Sequence, residues 1–160
     1  MDTATDIPAL MKDILLETLW PERCACCEAY GGVLCDECAL NLAYIDACNA
    51  CPVCGAPFGR VQCTDCSATL LAPLGCERPP YEACVSATLL DERTGRIITL
   101  RKDAGDKGLT QVMADIMARA TPPEWLDRAT AATYIPSTSA ALRRRGWDHA
   151  EDLARAYARR

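Results

Sequence analysis

Four Cys-x-x-Cys pairs fall within 43 consecutive residues: Cys24/Cys27, Cys35/Cys38, Cys51/Cys54 and Cys63/Cys66. A turn of this kind aims two thiolates at one point. Two such turns build a tetrahedral cage of four sulfurs, the coordination that structural zinc prefers. Eight thiolates in four pairs suffice for two zinc ions. The loops between successive pairs are 7, 12 and 8 residues long. Sequential grouping closes the shorter loops. It would place Cys24, Cys27, Cys35 and Cys38 on one ion and Cys51, Cys54, Cys63 and Cys66 on the other, with a cross-braced grouping as the alternative. Cys26 competes with Cys27 as ligand. Cys26, Cys48, Cys76 and Cys84 otherwise read as small buried apolar side chains.

A second stretch could handle anions. Between Tyr134 and Ala150 the chain carries Arg143, Arg144 and Arg145, then Gly146, ahead of a helix start at Asp148. Ligands of open α/β sheets bind beyond the carboxyl ends of strands. Helix N-termini and basic side chains there favour phosphates. Lys102 and Lys107 are further candidates for phosphate contact. The triplet fits a solvated turn equally well, and Lys102 a surface lysine. His149, the sole histidine, reads as a first-turn helix residue, because no Ser, Cys or acid partner is identifiable in sequence. Trp147 reads as a core anchor.

The elements that would position these residues follow from periodicity. Residues 8–20 predict an amphipathic helix entered at Pro8 and stopped by Pro21. Across residues 23–72 the knuckles alternate with glycines, Gly31-Gly32 and Gly59, suited to hairpin tips. That segment has few large apolar side chains, so zinc would supply the missing stability, about 10–16 kcal/mol apparent per structural site. Pro73, Pro79 and Pro80 mark a linker. Residues 82–90 and 129–135 then read as strands, 93–102 and 108–120 as helices. A last helix follows the capping-box spacing of Asp148 and Glu151. Alternating strands and helices predict an α/β fold with a parallel sheet. The expected organisation is thus a helix over 1–22, a double zinc ribbon over 23–72 and an α/β part over 73–160. The last helix carries no stop signal before Arg160, so the α/β part is expected to be incomplete.

Charge is uneven. Residues 1–70 hold 10 acidic and 3 basic side chains, net −7, and residues 71–160 hold 12 acidic and 14 basic, net +2. The knuckle half is a poor electrostatic match to a phosphate backbone, and any nucleic-acid contact is expected in the basic half. The opening Met-Asp-Thr-Ala-Thr-Asp lacks a basic lead-in to an apolar stretch, so no signal peptide is expected. No run of 18 apolar residues occurs, so no membrane span is expected. Twelve cysteines without an export signal favour metal ligation over disulfides and a cytoplasmic location.

Taken in order, these segments resemble the ComF family of competence-associated proteins. The likeness runs from Trp20-Pro21-Glu22-Arg23-Cys24 through the knuckles, including Cys51-Pro-Val-Cys54-Gly55. It continues through Ile97-Ile98-Thr99-Leu100-Arg101-Lys102-Asp103-Ala104-Gly105-Asp106 and ends with Pro136 to Leu153-Ala154. The family's Pro-x-His-Pro is here Pro136-Ser137-Thr138-Ser139, and its Arg-Gly-Phe is Arg145-Gly146-Trp147. The resemblance implies a double zinc ribbon joined to a type I phosphoribosyltransferase-like domain with a parallel sheet. It further implies binding of phosphoribosyl pyrophosphate with magnesium, and a role in DNA uptake during natural transformation with single-stranded DNA and other competence proteins as partners. Arg143, Arg144, Arg145, Gly146 and Lys102 are the expected phosphate or nucleic-acid contacts. In the family, paired acids and a Thr-Thr-Gly loop hold the 5′-phosphate beyond the Ala-Glu-x-Leu-Ala helix. These 160 residues contain no such loop, and the chain alone is expected to be inactive as a transferase. Leu89 to Gly95 mimics that motif, but one residue separates its acids from Thr94, and a strand-to-helix turn explains it better. The alternative function is a zinc-ribbon adaptor or nucleic-acid-binding module without catalysis.

Overall fold

The computed structural model describes Thr18 and residues 21–128 and 131–160. Apart from Thr18, the helix expected over 8–20 lies outside the described residues. The chain divides into two units, Met1–Asn41 and Leu42–Arg160.

In the first unit the turn that begins at Cys24 sets the local fold. The Cys24 N–H donates to the Ala29 carbonyl (2.8 Å), and the Glu28 N–H returns to the Cys24 carbonyl (2.9 Å). Glu28 adopts a left-handed backbone, φ 63°. Arg23 and Tyr30 form an antiparallel bridge across this turn, and the Arg23 guanidinium sits 4.2 Å from the Tyr30 ring centroid, a cation–π pair. The knuckle, rather than Gly31-Gly32, therefore makes the reversal between the bridged residues. The second knuckle runs into helix α1, Asp36–Leu40, with extended Cys35 at its N-cap and Asp36 and Glu37 in its first turn, where the helix dipole favours acids.

The second unit repeats the knuckle turn. Cys51 N–H donates to Ala56 O (2.8 Å) and Gly55 N–H to Cys51 O (2.9 Å). Gly55 holds the left-handed position, φ 71°, that Glu28 holds in the first unit. Helix α2, Ala68–Leu71, follows the last knuckle and tightens into a 3₁₀ turn, Ala72–Leu74. Residues 84–89 then run against residues 43–45: Ile45 N–H donates to Ala87 O (3.0 Å) and Leu89 N–H to Ala43 O (2.8 Å), around an antiparallel bridge between Tyr44 and Thr88.

Among the described residues, five helices complete this unit: α3 (Glu92–Thr99), α4 (Gly108–Ala120), α5 (Pro123–Arg128), α6 (Ser139–Arg145) and α7 (His149–Tyr157). A π-helical turn, Leu100–Ala104, extends α3. Asp91 caps α3 by accepting the Thr94 N–H at 2.8 Å, so the acids of the Leu89–Gly95 segment belong to a helix start. α4 packs against α7, and Leu109, Ala114 and Ala156 are buried to 3% exposure or less. Two of the three are alanines, which lets the helix backbones approach closely. The Thr121 hydroxyl meets the Tyr157 hydroxyl at 2.7 Å beyond this core.

The expected parallel sheet is not found: among the described residues there is no strand, only the two isolated bridges. The β-branched segments behave differently for a physical reason. Residues 84–89 find an antiparallel partner in residues 43–45. Residues 131–138 form no regular element and belong to no bridge, and Ile135 is 89% exposed. Two further expectations shift. Pro123, read only as a helix stop, opens α5, as suits proline's fixed φ at a first position. The Arg143–Arg145 triplet, read as a loop, is the last turn of α6.

Candidate metal centres and basic cluster

The eight knuckle cysteines assemble as two groups of four, Cys24, Cys27, Cys35, Cys38 and Cys51, Cys54, Cys63, Cys66. Within each, all four sulfurs lie within 4.8 Å of one another. A tetrahedral ion with zinc–sulfur bonds of about 2.3 Å sets its sulfurs about 3.8 Å apart. The Cys27–Cys35, Cys51–Cys66 and Cys54–Cys63 sulfurs are separated by 3.7, 3.8 and 3.5 Å. The donor set therefore fits one ion per group, each bound through two successive knuckles. Cys27, not Cys26, is the member of the first group. Cys26 contributes its N–H, which donates to Cys24 Sγ at 3.4 Å, and the Cys35 N–H reaches the same sulfur at 3.5 Å.

These amides shape the electrostatics. Burial alone would raise the Cys24 thiol, but the N–H donors of Cys35, Cys27 and Cys26 outweigh it and bring the group down to about 6. The Cys54 and Val53 amides bring Cys51 down to about 7 against burial. Further thiols are raised instead. Cys38 is pushed up by its thiol neighbour Cys35 and by burial. Cys66 is pushed up to about 12 by burial and by Cys54 and Cys63. Four sulfurs this close cannot all ionise unless a cation sits among them, and a divalent cation reverses the repulsion.

No disulfide joins any cysteine. Cys48 and Cys84 are exposed and Cys26 and Cys76 half-buried, so none of these four is the buried apolar filler expected. Each sits on a turn or an irregular segment rather than on the packed face of a helix.

The phosphate candidates separate. Arg143 and Arg144 are exposed on the last turn of α6 and Gly146 is its exposed C-cap in left-handed conformation. Cations there complement the helix carbonyls, and the helix start expected at Asp148 follows as the N-terminus of α7. Arg145 is different. Its side chain is 8% exposed and pairs with Asp103 at 3.2 Å. Its Nη1 also lies 3.5 Å from His149 Nδ1. Lys102 is half-buried in the π-helical turn, and Lys107 is exposed beside α4.

Three contacts escaped sequence reasoning. Arg101 is buried at 3% exposure. Its Nη2 pairs with Asp152 at 2.7 Å, and its Nε donates to the Thr110 hydroxyl. Trp147 lies against Gly105, where a β-carbon would fall 2.8 Å from the indole. Ser137 Oγ sits 3.2 Å from His149 Nδ1 and donates to Asp148 Oδ1 at 3.0 Å. The histidine thus has a serine and an acid beside it, separated by only about a dozen residues in the chain. Burial first, then the charges of Arg145 and Lys102, lower the His149 pKa. Residues 101–105 and 145–152 meet through Arg101–Asp152, Arg145–Asp103 and Gly105–Trp147.

An open, mostly apolar groove of about 820 Å³ lies along α4 and α7, lined by Met117, Trp125, Tyr134, Leu153 and Tyr157 among others. None of the Arg143–Arg145 triplet lines it. Beyond the two cysteine groups, no cluster of three or more acidic or histidine ligands forms among the described residues. No helix among them is long and apolar enough to cross a membrane. Comparison of the chain with protein-family models, curated proteins and solved structures returned no match.

Proposed function

We propose that each four-cysteine group holds one structural zinc ion and that the chain is a ComF-like protein whose carboxyl part binds phosphate. The phosphate would belong to phosphoribosyl pyrophosphate or to single-stranded DNA handled during natural transformation in the cytoplasm. When bound, zinc would supply crosslinks between knuckles and no reaction chemistry. One observation carries the phosphate reading. Two segments behind the family resemblance, residues 100–106 and the basic 143–150, meet through Arg145–Asp103 and Trp147–Gly105. Arg143, Arg144 and Lys102 then offer positive charge around that meeting point, with Arg145 held as a support by Asp103. Magnesium would enter only with the pyrophosphate.

The test is anisotropy of a labelled single-stranded oligonucleotide at two salt concentrations. Each phosphate contact on a single strand contributes roughly 0.7 to the log–log salt slope. Replacing Arg143 and Arg144 together by alanine is expected to reduce the slope by about 1.4. An unchanged slope removes these residues from the interface.

A second reading is a zinc-ribbon adaptor without transferase function. The lack of any strand among the described residues favours it, because a phosphoribosyltransferase site is built on strand ends. Specific saturable binding of phosphoribosyl pyrophosphate by calorimetry would speak against it.

A further inference from the structure

The two cysteine groups differ in shelter. In the second, Cys51 is buried and Cys54, Cys63 and Cys66 are half-buried. Gly59 lies so close that a β-carbon there would fall 2.7 Å from Cys51 Cβ and 3.2 Å from Cys63 Sγ. The backbone of residues 84–86 covers Gly55 on the same knuckle, at 3.0 Å or less from a β-carbon built there. In the first group Cys27 is exposed, while Cys24 and Cys38 are buried. The Cys27 sulfur lies 3.7 Å from that of half-buried Cys35.

We infer that the first centre is an oxidation-sensitive switch, opened through Cys27 and Cys35 by a hydroperoxide such as hydrogen peroxide, while the second centre persists. This rests on the zinc reading given above. The chemistry balances. The Cys27 thiolate attacks one peroxide oxygen and the O–O bond breaks. That oxygen stays on sulfur as a sulfenic acid, and the other leaves as water after taking up a proton. The Cys35 thiolate then attacks the Cys27 sulfur, the S–O bond breaks, and the departing hydroxide is protonated to a second water. Two thiolates lose two electrons in all and peroxide gains them. The centre keeps only Cys24 and Cys38, too few donors for a structural site. Cys26 is not the partner. It adjoins Cys27 in the chain, and a bridge between neighbours would strain the peptide, whereas the Cys35 sulfur is already at hand.

The test starts from full-length protein loaded with zinc and freed of reductant, its zinc content measured first. That count stands or falls with the zinc reading alone. Hydrogen peroxide is then added in steps while a chromogenic indicator follows free zinc, and peptide mapping follows the sulfurs. The expected result is release of one of the two zinc ions at low dose, with a Cys27–Cys35 disulfide and with Cys51, Cys54, Cys63 and Cys66 unmodified. A Cys26→Ser chain is expected to behave identically. Release of both ions in step, earlier oxidation of the second group, or a Cys26-linked product would overturn the inference.

Discussion

Arg101 Nη2 lies 2.7 Å from Asp152 Oδ2, joining the π-helical turn after α3 to the first turns of α7 across 51 residues of sequence. The same guanidinium reaches the Thr110 hydroxyl on α4. One buried cation thus organises three elements. A buried arginine needs a charged partner to offset its desolvation; here Nε and Nη2 are paired, the buried Nη1 has no hydrogen-bond partner among the described residues, and the partner carboxylate keeps contact with solvent, being 41% exposed.

Truncating Arg101 should therefore destabilise this unit more through lost packing than through a stranded charge. Arg101→Ala is expected to lower unfolding free energy by about 2–4 kcal/mol, at or below the range for breaking a fully buried pair. Arg101→Lys should recover little, because one ammonium cannot serve Thr110 and Asp152 from the two sides of a planar fork. Urea denaturation followed by circular dichroism measures both. A shift of Arg101→Ala within error of wild type would contradict the role assigned to it.

Gly105 and Gly146 provide an internal control. Both have left-handed backbones, φ 78° and 80°, but a β-carbon at Gly105 would strike Trp147 while one at Gly146 meets nothing within 4 Å. Gly146→Ala should cost only the backbone term, about 1–2 kcal/mol. Gly105→Ala should cost visibly more and should shift the tryptophan emission. Equal losses for the two would mean that the indole is not seated on Gly105.

Asp148 links stability to acid. Its carboxylate accepts the Ser137 N–H at 2.9 Å and the Ala150 N–H at 3.0 Å. The Ser137 amide is the main cause holding it below the ordinary carboxylate value. A group whose folded-state pKa is depressed stabilises the fold above its unfolded value, near 3.9, and that contribution is lost as pH falls through the folded value. Melting of wild type and Asp148→Ala should converge as pH drops from about 5 toward 3. A gap between them that stays constant over this range would refute the linkage.

The disputed ligand of the first knuckle can be settled by two serine substitutions. Cys27→Ser is expected to bind one zinc ion tightly rather than two, because the first group loses a member. Cys26→Ser should keep two, since that residue acts through its backbone N–H, which serine retains. Elemental analysis after dialysis reads the outcome, and the reverse pattern would exchange their roles.

What could be read in advance divides along the range of the interactions. The cysteine groups were legible because a Cys-x-x-Cys turn is local and its chemistry admits few alternatives. α4 and α7 were legible from the spacing of Leu109, Val112, Met113 and Ile116 and of Ala150, Leu153, Ala154 and Tyr157. α6 was missed although its signals were present: Thr138 accepts the Ala141 N–H as N-cap, and Gly146 closes the helix. The sheet failed for a different reason. Residues 82–90 and 129–135 have strand composition, but pairing depends on what lies alongside, and β-propensity does not specify a partner. The meetings of Arg101 with Asp152 and of Gly105 with Trp147 leave no periodic trace at all.

The most direct test is the zinc content of the purified, reduced protein, paired with its response to a chelator. Two zinc ions per chain, with the knuckle segments losing their amide-exchange protection when the metal is stripped, is the predicted result. Absence of metal from a fully reduced sample, or knuckles equally protected after stripping, would contradict it.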